Sequence, residues 1–455
     1  MPKVINPATG KGIRNFDWHT SKDVERKLEA ASNAFRVWRE YSFEQRGACL
    51  KAVAERLRSE RKQHAALMTE EMGKPVREAL GEVEKTASCC EHYANHAAGY
   101  LANEVIESDA TRSWVQYLPL GTVLGILPWN SPYWLAGRVF APALMAGNTV
   151  VIKHDSHVPG CAAAIEAAFD EAGAPEGLLQ TLIVENDAVE AIIRDRRVQA
   201  LSFTGSTRGG RAVAAIAASE TKPAVLELGG SDPALVLADA DLGMAVDTIA
   251  TSRFICAGQS CIAAKRILVE SSVYDEFLSM FEARLESLKV GDPTREDTDI
   301  GPMARAELRD TLHRQVCESV AAGAHCLLGG KLPDGPGSFY PVTLLADVPE
   351  TAPAFAEETF GPVAAVASVA DVEEGIAQAN RTEYGLAAAV WTRPERGEAL
   401  ARRIEAGQVA VNGIVKTDPR LPSGGIKASG YGRELGPHGI HEFVNAQQVW
   451  LGPKQ

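Results

Sequence analysis

The stretch Ala200-Leu-Ser-Phe-Thr-Gly-Ser-Thr-Arg-Gly-Gly210 decides the fold. Ala200 to Phe203 reads as a short buried strand, the following Gly/Ser-rich residues as a turn, and the Ala-rich run from Arg208 to Ser219 as a helix. A helix opening directly behind such a turn presents free backbone N–H groups, which suit a phosphate. The spacing, with four residues between Gly205 and Gly210, is not the six-residue dinucleotide fingerprint, and taken alone an ordinary strand-to-helix turn is its default reading.

Working outward, the texture repeats. Val123–Leu127, Thr149–Ile152, Thr181–Val184 and Ala224–Leu228 are further apolar runs, with helical lengths such as Cys161–Ala172 between them. Short apolar strands alternating with helices indicate a parallel sheet covered on both faces. The pattern restarts after Gly229-Gly230: strands near 234–237, 267–269, 363–366 and 387–391 are separated by helices at 241–253, 273–289 and 303–322. A second α/β domain is therefore expected. Residues 21 to about 100 read as helical, with a capping box at Ser42-x-x-Gln45 and a helix break at Gly73-Lys-Pro75. Ser113–Pro119 reads as a strand, and Ile440–Leu451 as a strand or strap at an interface.

Bulk properties remove several function classes. A chain of 455 residues exceeds one simple core and points to two or three domains. A formal net charge of -13 argues against a nucleic-acid or anionic-membrane surface. The N-terminus lacks the apolar region of a secretory signal, and the longest apolar stretch, Trp134–Ile152, is broken by Arg138, Pro142 and Asn148. The eight cysteines show neither zinc-ligand spacing nor a disulfide framework, so no metal is expected and a reducing cytoplasm is the simplest compartment.

Four features carry chemistry. Lys153 stands at the C-terminal end of an apolar strand, the edge where doubly wound sheets bind ligands. Glu227 is embedded between Leu226 and Leu228; burial in a central strand would raise its pKa toward that of a general base. Asn130, between Pro128 and Pro132 just past another strand, offers a fixed amide that suits an oxyanion. Cys256 and Cys261 lie five residues apart, and for either one buried packing is the default reading.

Taken together, Asn6-Pro-Ala-Thr-Gly10, Pro128-Trp-Asn130, Ala146-Gly-Asn-Thr-Val-Val-Ile-Lys153, Phe203-Thr-Gly-Ser206, Leu226-Glu-Leu-Gly-Gly230, Gly258-Gln-Ser-Cys261, Glu357-Glu-Thr-Phe-Gly-Pro362 and Ser429-Gly-Tyr-Gly-Arg-Glu434 resemble the aldehyde dehydrogenase superfamily, in its order and over nearly the whole chain. The resemblance implies an α/β fold with a Rossmann-like NAD(P)-binding domain (1–106 and 121–228), an α/β catalytic domain (229–425) and a small β oligomerisation element (107–120 and 438–455). It implies an NAD(P)-dependent oxidation of an aldehyde to the acid. Cys261 would be the nucleophile, Asn130 with the Cys261 backbone N–H the oxyanion holder, Glu227 the base that hydrolyses the thioester, and Glu434 a proton relay. Cofactor contacts would fall to Trp129, Lys153, Ser156, Gly205, Ser206, Gly229, Glu358 and Phe360. Ser156 replaces the glutamate of many NAD-preferring members and favours NADP, with the neighbouring Asp155 arguing mildly the other way.

The segments around Lys153–Pro159 and Val411–Pro422 look most like the short succinate-semialdehyde-oxidising branch, with Arg420 or Arg138 expected to meet the substrate carboxylate. Trp134, Ser131 and Ser423 would border the substrate tunnel. Serines replace aromatic residues at 131 and 423, which suggests a wider tunnel and, as an alternative, an aromatic or otherwise bulky aldehyde. The other-class alternative, a non-catalytic binding protein on this scaffold, would be free to lose Cys261, Asn130 or Glu227, and all three are present. Family members are homodimers or homotetramers, so one of these is expected, while Cys256, where relatives carry Asn, is expected to be buried packing.

Overall fold

The computed structural model describes residues 3–453. Two sheets organise them. The first orders its strands Gly430–Tyr431, Ala224–Glu227, Val198–Thr204, Thr122–Leu127, Thr149–His154 and Leu179–Thr181. All neighbours run parallel except Gly430–Tyr431, which closes one edge antiparallel. Both faces are covered: every residue of Thr122–Leu127 and Thr149–His154 is buried. The connecting helix Pro132–Ala146 is buried at all 15 positions, starts on a proline and ends at Gly147 with φ +100°. That is why Trp134–Ile152, apolar as it is, packs as helix plus strand; no helix among the described residues is long and apolar enough to cross a membrane.

From Thr122–Leu127 the chain steps outward to Thr149–His154 and Leu179–Thr181, then returns to Val198–Thr204 on the other side. The crevice between Thr122–Leu127 and Val198–Thr204, at their C-terminal ends, is thus the topological switch point where α/β sheets bind ligands. Residues 128–131 and 204–206 border it.

The second sheet orders His325–Leu328, Thr343–Ala346, Val363–Val369, Arg266–Glu270, Pro233–Val236, Ala387–Trp391 and Gln408–Val411, parallel but for the first strand. Gly229 and Gly230 link the two sheets. A third sheet pairs Ala110–Pro119 with Val444–Pro453 over their whole lengths, and Glu104–Val105 adds to its edge.

Local signals hold where chemistry dictates them. Ser42 and Gln45 form the expected capping box, and Gly73 ends a helix at φ +80°. Two expectations need correction. The strand expected at Thr181–Val184 is instead Leu179–Thr181, because only those residues pair with Val150–Ile152 at the sheet edge. Nor is the strand of Glu227 central: it is next to last. Val225, Leu226 and Glu227 are buried all the same, and Gly430–Tyr431 covers that edge at Leu226 and Glu227.

Candidate active site

One cavity of about 570 Å³ opens at the switch point, between the first sheet and the loop that follows the helix Leu242–Phe254. Asn130, Glu227 and Cys261, far apart in sequence, all line it.

The Cys261 loop is held by polar fastenings. Cys256 and Ala257 have φ +55° and +53°, and Gly258 follows at φ +72°. A Cβ on Gly258 would lie 2.2 Å from the Gly361 carbonyl oxygen, so only glycine fits at that position. The Asn130 side-chain amide donates to the Gln259 carbonyl at 3.0 Å, and the Cys256 N–H donates to Glu78 Oε2 at 2.8 Å. Arg253, fully buried, donates to the carbonyls of Gly258, Thr359 and Gly361, tying this loop to the Glu358–Phe360 segment. Half-buried Cys261 faces opposed influences. Burial pushes its thiol up to about 11, Lys265 and Arg138 favour the thiolate, and Glu227 and Glu358 oppose it. Cys256 is buried with its Sγ 3.6 Å from the Asn130 carbonyl, and burial lifts its thiol to about 12.

Glu227 is 3% exposed. Burial raises its carboxyl well above the ordinary carboxylate range, partly offset by Arg138 and reinforced by Glu434. Arg138 Nη2 donates to Glu227 Oε2 at 2.9 Å, and its Nε ion-pairs with Glu434. Glu434 also accepts from Ser202 Oγ at 2.8 Å. One guanidinium thus sits between two buried carboxylates, and Glu227 Oε1 keeps no protein partner.

This arrangement corrects several expectations. Arg138 lines the cavity, but its charge is committed to Glu227 and Glu434. Arg420 points to solvent and pairs with Asp418, two residues away on the same loop, so it does not reach the cavity. Ser423 does not border the tunnel either: it is 1% exposed and accepts from Arg138 Nη2 at 3.2 Å, behind the base. Ser131 and Trp134 do line the cavity, with Lys74 Nζ donating to Ser131 Oγ at 3.2 Å.

Of the expected cofactor residues, Trp129, Gly205, Ser206, Gly229, Glu358 and Phe360 line the same cavity. Ser206 caps the helix Thr207–Ser219 by accepting from the Gly209 N–H, leaving other first-turn N–H groups at the crevice. A Cβ on Gly229 would stand 2.5 Å from Glu358 Oε2, so the glycine keeps room that a side chain would fill. Trp129 and Phe360 meet edge to face at 5.8 Å. Lys153 and Ser156 stand outside the cavity, at the end of the strand Thr149–His154, with Lys153 Nζ on Asn186 Oδ1 at 2.7 Å. A helix N-terminus, two side-chain-free positions and a strand-end lysine fit a dinucleotide with phosphates along this edge.

Sequence reasoning missed Lys265 and Arg253. Lys265, fully buried, donates to the Cys261 carbonyl at 2.5 Å and pairs with Glu358 Oε1 at 3.1 Å. The available signal was a cation immediately ahead of the apolar strand Arg266–Glu270.

A family model described as the aldehyde dehydrogenase family matches residues 2–449. A protein of Synechocystis named "probable succinate-semialdehyde dehydrogenase", NADP(+), is 48% identical over 449 residues, 98% of this chain and 99% of that one. The Mycobacterium tuberculosis succinate-semialdehyde dehydrogenase 1, also named for NADP(+), is 46% identical over 452 residues, covering 98% and 99%. Among solved structures, succinic semialdehyde dehydrogenase from Streptococcus pyogenes, in complex with NADP+, superposes with TM-score 0.97 at 35% identity, covering 99% of this chain and 100% of that chain.

Proposed function

The chain belongs to the aldehyde dehydrogenase family, and from that premise we propose that it oxidises a semialdehyde, succinate semialdehyde being the probe of choice, to the dicarboxylic acid with NADP. The observation that carries the reading is the convergence of Cys261, Asn130 and Glu227 on one cavity beside the crevice of the first sheet. The Cys261 thiolate adds to the aldehyde carbon. The Asn130 amide, fixed by its bond to Gln259, donates to the oxygen that becomes negative. NADP, when bound, supplies the acceptor for the hydride that leaves as the adduct becomes a thioester. Glu227 then takes a proton from water as that water attacks the thioester; the acid leaves and the Cys261 thiolate returns. The Arg138–Glu434 pair holds Glu227 in place and gives its proton a neighbouring carboxylate. Asn130→Ala is expected to lower kcat on the order of 10²-fold with KM nearly unchanged, measured by steady-state kinetics.

NADP rather than NAD is supported by Ser156 and by the state of Asp155. That carboxylate accepts from the His157 ring and backbone N–H and faces Arg305, which hold it down to about 2. Its charge is locally answered, so it weighs little against a 2′-phosphate near Lys153. The names of the relatives point the same way. The sheet of Ala110–Pro119 with Val444–Pro453 is the proposed contact between copies in a homodimer or homotetramer, and the cytoplasm the proposed compartment.

The deciding measurement is NADPH or NADH formation with succinate semialdehyde and benzaldehyde, each with both cofactors. The semialdehyde–NADP pair is expected to give a kcat/KM at least about tenfold above every other combination. A faster benzaldehyde reaction would overturn the semialdehyde reading.

A further inference from the structure

Asn130 holds the nucleophile loop through the Gln259 carbonyl, and a second hold lies two residues on. The Lys265 ammonium donates to the Cys261 carbonyl at 2.5 Å and ion-pairs with Glu358 Oε1 at 3.1 Å. This lysine is wholly enclosed just ahead of the strand Arg266–Glu270, and its backbone N–H donates to the Asp232 carbonyl at 2.9 Å. Gly230 closes the same knot. Its N–H donates to Glu358 Oε1 at 3.1 Å, and a Cβ there would stand 3.0 Å from the Cys261 carbonyl oxygen. The Cys261 carbonyl is thus packed against a glycine and bonded to an ammonium. Fixing that carbonyl fixes the peptide plane behind the thiol, and with it the direction in which Sγ leaves the backbone.

A buried ammonium is costly unless a counter-charge answers it. Among the described residues Glu358 is the one carboxylate within 4.0 Å of Lys265. Asp232 faces the lysine from further off, and burial raises its carboxyl to about 7, so near neutral pH it answers only part of the charge. Glu358 differs from both: its side chain is 23% exposed and lines the cavity beside Cys261. The thiol therefore meets both members of one ion pair, and they act on it in opposite senses. Lys265 favours the thiolate, as Arg138 does, while Glu358 opposes it, as Glu227 does.

We propose that Lys265 is a positioning residue for the Cys261 nucleophile, aiming it through its carbonyl and lending positive charge to its thiolate, and that Glu358, by pairing with Lys265, sets how much of that charge the thiolate receives. The assignment rests on the reading of Cys261 as the nucleophile. It gives Glu358 a task that needs no cofactor in place, because the pair and the thiol meet within the protein itself.

The test reads the thiol directly, by iodoacetamide alkylation of the enzyme without substrate at pH 8, mapped by mass spectrometry with exposed Cys317 as internal standard. Lys265→Met keeps the length and removes the charge. It is expected to slow alkylation at Cys261 about tenfold relative to Cys317, since the reagent attacks the thiolate. Glu358→Gln keeps an acceptor for the Gly230 N–H and removes the opposing charge, and is expected to speed alkylation about three- to tenfold. A loosened loop would move both variants the same way; only a charge effect moves them apart. Changes of one sign in both, or a parent rate in a folded Lys265→Met, would overturn the proposal. Should Lys265→Met lose its melting transition, Glu358→Gln decides, and an unchanged or slower rate there overturns it. If Cys261→Ser keeps the parent rate of NADPH formation, the nucleophile reading falls and the positioning role with it. If Cys261→Ser is inactive and Lys265→Met alkylates like the parent, the positioning role alone falls.

Discussion

Cys261→Ser is expected to lose on the order of 10⁴-fold or more of the NADPH-forming rate while melting at the parent temperature. The reason lies in the nucleophile and not in packing: Cys261 is only half-buried, so the oxygen leaves no large void. A serine hydroxyl in this surrounding has no described base bonded to it and ionises far less readily than a thiol. Burial pushes the thiol up to about 11 against the pull of Lys265 and Arg138, so the reactive thiolate grows as the pH rises. Alkylation by iodoacetamide, mapped by mass spectrometry, should therefore accelerate at Cys261 about tenfold per pH unit between pH 7 and 10, since reagent attacks the thiolate. Cys256, held at about 12 and buried, should lag behind it. A Cys261→Ser enzyme with a tenth of the parent rate would remove the covalent route altogether.

Glu227→Gln is expected to stop the enzyme one step later. Rapid mixing with saturating NADP should show a first turnover of NADPH near the parent amplitude, then a steady rate about 10³- to 10⁴-fold lower. Gln keeps an acceptor for Arg138 Nη2 but cannot take a proton from water. Burial holds the Glu227 carboxyl above its ordinary range, so in the parent the hydrolytic rate should rise with pH through that elevated midpoint and level off above it. The base works only when deprotonated, which fixes the sign. In Glu227→Gln that pH dependence should vanish. A variant with an unchanged steady rate would assign the hydrolysis to another group.

Much of this was legible in the chain itself, for a physical reason: Asn130, Glu227 and Cys261 each sit in a short motif whose backbone geometry is local. Strand ends, a proline-bounded loop and a glycine turn can be read from adjacent residues. Partnerships between distant segments cannot. Arg138 reads as an arginine in an apolar helix, and nothing near it announces that Glu227 and Glu434 close around it. Ser423 was misplaced for the same reason. Lys85 lies on a helix rich in charge, where lysines ordinarily face water; its contacts with Trp134 and Thr417 turn it inward. Arg420 was the exception, since its partner Asp418 stands two residues away in plain view.

The ten-residue pairing of Ala110–Pro119 with Val444–Pro453 has a consequence for how the molecule is made. On a ribosome adding about 5–20 residues per second, the earlier strand waits some tens of seconds for its complement. Throughout that interval its backbone edge is open to any passing strand, including one from a nascent neighbour on the same message. Until Val444–Pro453 arrives, the unpaired edge of Ala110–Pro119 is therefore a place where a chaperone, or an early misassembly, can take hold.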